Sequence, residues 1–278
     1  MDKKKLKLFI ICHKPTALPE GDCFVPLHVG RKNSKFKEEM NDYVGDDTGD
    51  NISEKNPNFC EATGIYWIWK NVHDAEYVGL CHYRRFFKAE FTDANIDSFF
   101  ADGTDVIMSV KKFRPRTRFV TTLSYMQMED YLILKGCLKK LYPEYVPSLN
   151  RYLRGYIDYP FNMVICKKEL YDKYAEWMFS IFEEMGKYVK SSGYTNGKRM
   201  FAYMSELLTA LFFIHNNCKI KEIPVTFDGK VLKPTFINKL VMLTGQTFIH
   251  PFTKNLPFSI DPCFKLGLKN DGFDLDCD

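Results

Sequence analysis

The sequence lacks the short motifs that mark several large enzyme classes. Its 278 residues contain no CxxC pair, no HExxH, no GxSxG, no P-loop and no GxGxxG. These absences argue against zinc sites, serine hydrolases and dinucleotide- or P-loop-type nucleotide binding. The nine cysteines are scattered and several lie in apolar runs. That usage predicts buried thiols in a reducing, cytoplasmic compartment.

Long hydrophobic runs are also missing. No run approaches the roughly 20 apolar residues that a membrane span needs. The apolar run from Leu8 to Cys12 follows a charged start but is too short for a signal peptide, so we interpret it as a buried strand. A net charge of +4 is mild and disfavours a dedicated nucleic-acid binder. It is compatible with an anionic substrate or an anionic membrane surface.

The hydrophobic pattern alternates between strands and helices. The predicted strands are 6–12, 77–81, 105–110, 162–166 and 220–227, and the predicted helices are 58–72, 128–141, 144–153, 168–185 and 198–215. This alternation predicts an α/β/α sandwich with a mainly parallel sheet. We expect one domain over 1–278, with an irregular C-terminal strap from about 228 apart from a helix near 236–243. Ligands of such sheets bind at the carboxyl ends of strands, so loops 13–16, 82–88 and 110–118 should meet there.

The segment CHYRRFF at 81–87 is the most informative candidate site. A predicted strand delivers His82, Arg84 and Arg85 to its carboxyl end. Two adjacent guanidinium groups suit a diphosphate, because each offers paired donors to phosphate oxygens. The alternative is that one arginine faces solvent and the other forms a structural salt bridge.

Two charged loops offer weaker candidates. The segment 45–56 holds Asp46, Asp47, Asp50 and Asn51, which suit a divalent cation or a ribose, although a solvated acidic loop is the favoured interpretation. The basic segment KKFRPRTR at 111–118 suits phosphates or an anionic acceptor, and equally a charged surface loop.

One polar stripe on a predicted helix offers a general base. At 100° per residue, Arg199, Tyr203 and Glu206 share one side of the helix 198–215, opposite its apolar side. Glu206 would then be the base if the stripe lined a cleft. The alternative is that the stripe is an ordinary solvent face.

Blocks along most of the chain resemble a bacterial family, formerly a domain of unknown function, that is common in capsule and exopolysaccharide gene clusters. The blocks that carry the resemblance are KLFIICHK near the start, VPLHVGRK at 25–32, GDNISEKNPNFCEATGIYWIWKN at 49–71, EYVGLCHYRRFF at 76–87, PFNMVICKKELYDKYAEWMFSIFEEM at 160–185 and RMFAYMSELLTALFF at 199–213. Its members are treated as glycosyltransferases, so the resemblance implies a GT-A-like, Rossmann-like fold and a nucleotide-sugar donor. UDP-galactofuranose is the donor suggested by some members.

The resemblance also sharpens the candidate roles. GT-A enzymes generally place an Asp-x-Asp motif after a helix and a short strand, where it holds a metal against the diphosphate. Here His82, Tyr83, Arg84 and Arg85 stand at that place, so the resemblance implies catalytic roles for His82, Arg84 and Arg85. We therefore expect no required metal, with the arginines stabilising the leaving diphosphate. Mn²⁺ or Mg²⁺ held by the acidic loop at 46–50 is the alternative.

The same analogy assigns the donor-binding residues. It implies His13 and Lys14 near the nucleotide base, Asp50 and Asn51 at the ribose, and Asn162 beside a donor or acceptor sugar.

The remaining roles implied are donor binding by Tyr83 and Arg199 and acceptor deprotonation by Glu206, with Asp130 and Asp158 in reserve. The acceptor would be a saccharide, such as a lipid-linked oligosaccharide at the inner face of the membrane. The aromatic and basic tail could rest on that surface, or complete the core as a strap. A non-catalytic carbohydrate- or nucleotide-binding component and a phosphotransferase are the competing hypotheses.

Overall fold

The computed structural model describes residues 4–114, 116–189, 199–231, 236–256, 262–273 and 275–276. The chain divides into two compact units. The first unit consists of Met1–Val110, Tyr159–Trp177 and Asn216–Lys233, and the second of Lys111–Asp158, Met178–His215 and Pro234–Asp278. The expectation of one domain over 1–278 stays a prediction.

The structure contains the predicted strands and helices, with 58–72 and 220–227 each divided in two, together with further elements that the pattern did not predict. The strands are β1 (Lys4–Cys12), β2 (Phe24–His28), β3 (Val44–Gly45), β4 (Ala75–His82), β5 (Arg85–Phe87), β6 (Val106–Ser109), β7 (Lys112–Phe113), β8 (Ile157–Asp158), β9 (Val164–Lys167), β10 (Ile220–Ile223), β11 (Val225–Phe227) and β12 (Lys230–Val231). The helices are α1 (Asn56–Phe59), α2 (Ala62–Asn71), α3 (Ile96–Phe100), α4 (Arg118–Thr122), α5 (Met128–Leu141), α6 (Tyr145–Arg154), α7 (Lys168–Met185), α8 (Met200–His215), α9 (Phe236–Thr244), α10 (His250–Thr253) and α11 (Pro262–Asn270).

The first unit is built on one sheet. Its strand order is β10-β6-β9-β4-β1-β2-β3, and β5, β11 and β12 extend it from the end of β4. Within this order the neighbours are parallel, except that β9 runs antiparallel to both β4 and β6. The mainly parallel sheet and the mixed α/β fold are therefore as predicted.

The central strand β1 is buried on both sides, which explains its unbroken apolar sequence. Leu8 and Ile10 belong to a core cluster that includes Phe91 and Ile96, from the segment that ends in α3. Phe9 points to the opposite side, where its ring centroid lies 6.1 Å from that of Trp67 on α2. Helical or looped chain thus covers both faces of the sheet.

The predicted helix 58–72 is broken. Cys60 has a φ of 46°, which separates α1 from α2. Asn58 and Glu61 have the spacing of a capping box for one helix starting at 58, but neither α1 nor α2 begins with a side-chain cap hydrogen bond. Instead, Asn56 Nδ2 donates to the carbonyl oxygen of Cys60 and to Thr63 Oγ1, at 2.8 and 3.0 Å. These side-chain bonds stabilise the break, which periodicity alone did not reveal.

The second unit is mainly helical, with a small β7–β8 ladder. The C-terminal region, expected to be irregular apart from one helix, is helical over α9, a π-helix at Gly245–Ile249, α10 and α11. Residues 232–235 and 257–261 of that region lie outside the described residues. In the ranges that the structure describes, no helix has both the length and the hydropathy needed to cross a bilayer.

Several cysteines behave as the composition suggested. Cys12, Cys23, Cys81 and Cys166 are buried free thiols, whereas the prediction of burial is wrong for Cys263, which is exposed. Burial raises the pKa of the Cys12 thiol to about 12, so this group stays protonated at neutral pH. These side chains act as small apolar groups of the sheet core.

The close approach of β4 and β9 depends on Gly79. A Cβ at this position would lie 2.6 Å from the carbonyl oxygen of Val164. We predict that Gly79→Ala lowers the free energy of unfolding by about 1–3 kcal/mol, because backbone cannot move aside as a side-chain tip can. Urea unfolding measures this. The control is Gly186→Ala, whose Cβ would meet only ordinary contacts at 3.4 Å. Equal stability of the two variants would contradict the prediction.

Candidate active site

The carboxyl ends of β1 and β4 bring three predicted residues together. The strands are parallel and in register, with Ile11 opposite His82. Because both strands end here, His13 and Tyr83 emerge side by side, and their rings meet edge-to-face at 4.9 Å. Lys14 Nζ lies 5.7 Å from the centroid of the Tyr83 ring. The loops at 13–16 and 82–88 therefore meet as expected.

Aromatic rings hold Arg84 and Arg85. Strand β5 pairs with β11, which sets Phe227 opposite Arg85. The Phe227 centroid lies 5.2 Å from the guanidinium carbon of Arg84 and 5.1 Å from that of Arg85. Phe161 lies 4.4 Å from Arg85, and Tyr83 lies 5.1 Å from Arg84. These four contacts fix the position of both cations through cation–π attraction.

Neither arginine is neutralised by an acid in the described part of the chain. No ion pair there involves Arg84 or Arg85. Among the same residues, the buried Nε of Arg85 has no hydrogen-bond partner. Of the alternative interpretation, the solvent-facing arginine is present, since Arg84 is exposed, but the salt bridge is not formed among the described residues. Ring faces leave the positive charge and most N–H donors available to an anion.

His82 shapes the neighbouring turn. Its Nε2 donates to the carbonyl oxygen of Phe161 at 2.5 Å. Burial is the main reason that its pKa falls to about 4, so the ring is neutral at pH 7. Phe161 and Asn162 have φ values of 83° and 53°, in the left-handed region that non-glycine residues rarely adopt. The contact of His82 with this turn is that of a positioning residue, whereas the sequence suggested a catalytic one.

A side-chain hydrogen bond to Glu61 holds Asn162 in place. Asn162 is 1% exposed, and its Nδ2 donates to Glu61 Oε1 at 2.9 Å. The strained turn at 161–162 is therefore held by two side chains, His82 and Glu61, from different elements. Strained backbone that the surroundings fix in this way is typical of functional sites.

Asp46 of the acidic loop has a structural role, because it joins several backbone and side-chain donors. This carboxylate is fully buried. It accepts hydrogen bonds from Gly30 N (2.8 Å), Arg31 N (3.1 Å), Ser53 Oγ (2.5 Å) and Thr63 Oγ1 (2.7 Å). Asp47 faces Arg31 at 3.4 Å. In the described ranges no three potential metal ligands lie together. Asp46 therefore does not suit the alternative metal site at 46–50, because protein donors already occupy both of its carboxylate oxygens.

Asp50 lies away from the carboxyl ends of the strands. Its Oδ1 accepts from Tyr66 Oη at 2.9 Å, and its carbonyl oxygen accepts from Asn71 Nδ2 at 2.8 Å. Tyr66 lies in the middle of α2 and Asn71 at its C-terminal end, which leads into the amino end of β4. The eight residues of β4, at about 3.3 Å each, separate that end from His82. The neighbouring Asn51 donates to the carbonyl oxygen of Gly49. The expected grouping of Asp50 with His13 is thus not formed.

The polar stripe of α8 is present in the second unit. Between residues 199 and 213, all of which are described, only Arg199, Tyr203 and Glu206 are partly or fully exposed. The guanidinium carbon of Arg199 lies 5.7 Å from the Tyr203 centroid. The Tyr203 ring in turn lies 4.9 Å from that of Tyr125. The helix is otherwise buried on all sides, so this stripe is a narrow opening and not one half of an amphipathic helix.

The reserve bases and the basic loop have structural roles. Asp158 is 2% exposed and pairs with Arg114 at 2.8 Å and Arg118 at 3.1 Å. Asp130 is buried and caps α5 by accepting from Gln127 N at 3.1 Å. The phosphate-binding role predicted for the 111–118 loop is therefore wrong for Arg114 and Arg118, because the buried carboxylate of Asp158 neutralises their charge.

Sequence reasoning missed Phe161, Phe227 and Glu61. One signal was available: Asp228-Gly229 directly follows the predicted strand 220–227, and Asp-Gly after a strand is typical of a hairpin turn. That turn joins β11 to β12. The chain before it carries Phe227 to the arginines, and Asp228 N donates to the carbonyl oxygen of Arg84 at 3.1 Å.

Comparison with known proteins adds to this geometry. The model of a family described as a domain of unknown function, DUF4422, matches residues 7–217. An apo structure of the bifunctional glycosyltransferase WbbM is 29% identical with a TM-score of 0.66, and the match covers 84% of this chain and 48% of that chain. This chain therefore spans about half the length of WbbM.

A more distant structure is core-mannan synthase A from Aspergillus fumigatus in its Mn/GDP form. It is 12% identical with a TM-score of 0.35, and the match covers 80% of this chain and 76% of that chain. That likeness is too low to support an argument. No curated protein matches the sequence.

Acid should destabilise the protein through His82. Its folded pKa of about 4 lies below the unfolded value of 6.5, so the unfolded chain binds more protons between these values. Stability is therefore lost as the pH falls through this window. We predict that His82→Gln, which keeps a donor for Phe161, reduces the loss between about pH 7 and pH 4 by on the order of 2 kcal/mol. Urea unfolding across this range measures it. Exposed His73→Gln is the control, and parallel curves for wild type and His82→Gln would refute the prediction.

Proposed function

The chain belongs to the DUF4422 family, and on that premise we propose that it is a glycosyltransferase acting on a nucleotide-sugar donor and a saccharide acceptor. The observation that carries the proposal is the pair Arg84 and Arg85, held by aromatic rings and unpaired with any acid among the described residues. The resemblance to the glycosyltransferase WbbM supports the same reaction class.

The arginine pair suits the diphosphate of the donor. Transfer breaks the bond between the anomeric carbon and a phosphate oxygen, so negative charge builds on the leaving diphosphate. Fixed guanidinium groups stabilise that charge without having to reorganise during the reaction. We propose that they replace the divalent cation in this role.

The neighbouring residues suit the rest of the donor. His13 and Tyr83 present adjoining ring faces and edges at the ends of β1 and β4, where a nucleotide base can stack. Lys14 adds a cation beside them. The anchored turn at Asn162 is the proposed contact to the sugar. The proposed donor is a UDP-sugar, with UDP-galactofuranose as the specific candidate.

The proposed acceptor activation uses Glu206. Its carboxylate takes the proton of the acceptor hydroxyl, the acceptor oxygen attacks the anomeric carbon, and the bonding electrons leave with the nucleoside diphosphate. Asp158 and Asp130 are poor candidates for this step, since arginines or a helix cap already engage them. The proposed acceptor is a saccharide of a bacterial capsule or exopolysaccharide, carried on a lipid at the inner face of the membrane.

Donor binding should depend on the arginines and not on metal. We predict that a UDP-sugar at 100 times its Kd stabilises the protein by about 2.7 kcal/mol. The stabilisation should persist in EDTA. Arg84→Ala and Arg85→Ala should each weaken binding about 10- to 100-fold, because each removes charge-assisted hydrogen bonds. A thermal-shift screen of UDP-, GDP-, dTDP- and CMP-sugars with Mn²⁺, Mg²⁺ or EDTA measures this.

The matched control is Arg116→Ala, an exposed arginine of the basic loop. It should bind like the wild type. A shift that requires Mn²⁺ would refute the replacement of metal by arginine but keep the donor class. No shift with any nucleotide sugar would refute the proposed function and favour a binding module for other ligands.

Glu206 should affect turnover and not donor affinity. We predict that Glu206→Gln lowers kcat about 10²- to 10⁴-fold, the range for loss of a general base, while the donor Kd stays unchanged. Exposed Glu183→Gln on α7 is the matched control. Release of UDP from the donor in the presence of acceptor measures kcat. Unchanged turnover in Glu206→Gln would remove this residue from the mechanism.

A further inference from the structure

The helix formed by α9, the π-helix and α10 turns its apolar side to solvent. We call the following exposed side chains the C-terminal apolar face: Phe236, Ile237, Leu240, Leu243, Phe248, Ile249, Phe252 and Leu256. Each of them exposes between 50% and 83% of its surface. Large apolar side chains in such a continuous series are typical of a docking surface.

Two polar side chains of the same helix, Gln246 and His250, turn inward. Gln246 Oε1 accepts from the backbone nitrogen of Tyr156 at 3.0 Å. His250 Nε2 donates to the carbonyl oxygen of Arg151 at 3.0 Å, and Gln246 Nε2 donates to His250 Nδ1 at 2.8 Å. Gly245 packs so closely on the Tyr156 ring that a Cβ would lie 3.0 Å from it. These contacts fix which side faces the protein, so the outward direction of the apolar face is built into the helix.

The charge of this segment is of one sign. Between Asp228 and Asp261 the sequence contains no aspartate or glutamate. Within the second unit this stretch contains Lys239 and Lys254. An acid-free segment with lysines and exposed phenylalanines complements an anionic lipid surface, because the rings enter the headgroup region and the lysines pair with lipid phosphates.

A second copy of the chain fits this surface less well. A twofold dimer through the apolar face would set the same residues of each copy against one another. Because the segment carries lysines and no acids, its positive charges would then meet positive charges. An anionic bilayer has no such conflict.

We propose that the C-terminal apolar face docks the protein on an anionic lipid bilayer, with the helix lying in the plane of the headgroups. This inference concerns the second unit alone and does not depend on the transfer chemistry. It gives a structural basis for meeting an acceptor that is carried on a lipid.

Vesicle flotation of the full chain tests the proposal. Vesicles of equal parts phosphatidylcholine and phosphatidylglycerol should carry the wild type to the top of the gradient. Vesicles of phosphatidylcholine alone, or high salt, should carry much less, since screening weakens lysine–lipid attraction. The double variant Phe248→Ser/Phe252→Ser should lower the vesicle partition coefficient about tenfold or more, because two rings lose their burial.

The matched control changes two exposed apolar residues of the same unit, Val120→Ser/Leu123→Ser, and should float like the wild type. Circular dichroism and urea unfolding check that both double variants fold. Donor binding without vesicles should be equal in all three proteins, which separates this test from that of the proposed function.

Three results would overturn the proposal. The first is no flotation of the wild type. The second is equal flotation of wild type and Phe248→Ser/Phe252→Ser. The third is a dimer in sedimentation velocity that the phenylalanine substitutions abolish while vesicle binding persists, which would make the apolar face a contact between copies.

Discussion

The parallel pairing of β1 with β4 is the constraint on which the candidate site depends. Both strands are buried in the first unit, and their register is fixed by packing on both faces of the sheet. A shift by one residue would turn Leu8 and Phe9 to the wrong sides. Because the register is fixed, the chain must leave the two strands side by side. His13 and Tyr83 meet for that reason, and the two arginines follow at once in the sequence.

Aromatic rings, and not carboxylates, hold the guanidinium groups of Arg84 and Arg85. A carboxylate partner would fix a guanidinium equally well, but it would compete with the ligand. Aromatic faces attract the cation and leave its N–H edge open. Phe227 serves both Arg84 and Arg85, and Phe161 serves Arg85 from a strained turn. Elsewhere the chain does the opposite, since Arg114 and Arg118 are neutralised by the buried Asp158.

In the C-terminal helices, polar contacts to the rest of the second unit leave the apolar side chains exposed. In an ordinary surface helix the apolar side packs inward and the polar side meets water. Here Gln246 and His250 satisfy backbone groups of the body, and the phenylalanines remain outside. The polar contacts thus determine the orientation, and the exposed apolar surface is their consequence.

The main strands and helices, and the likeness of the chain to its family, were accessible from the sequence. The apolar run of β1 and the bounds of α7 follow from local periodicity, and adjacent arginines at a strand end already indicated an anion. Local pattern could not show the ring of Phe227, because strands β5 and β11 pair across about 140 residues of chain. Nor could it separate Asp46 from Asp50, which share one acidic loop but differ completely in burial. Tertiary structure decided these points, because a side chain's charge state and partners depend on groups that are distant in sequence and close in space.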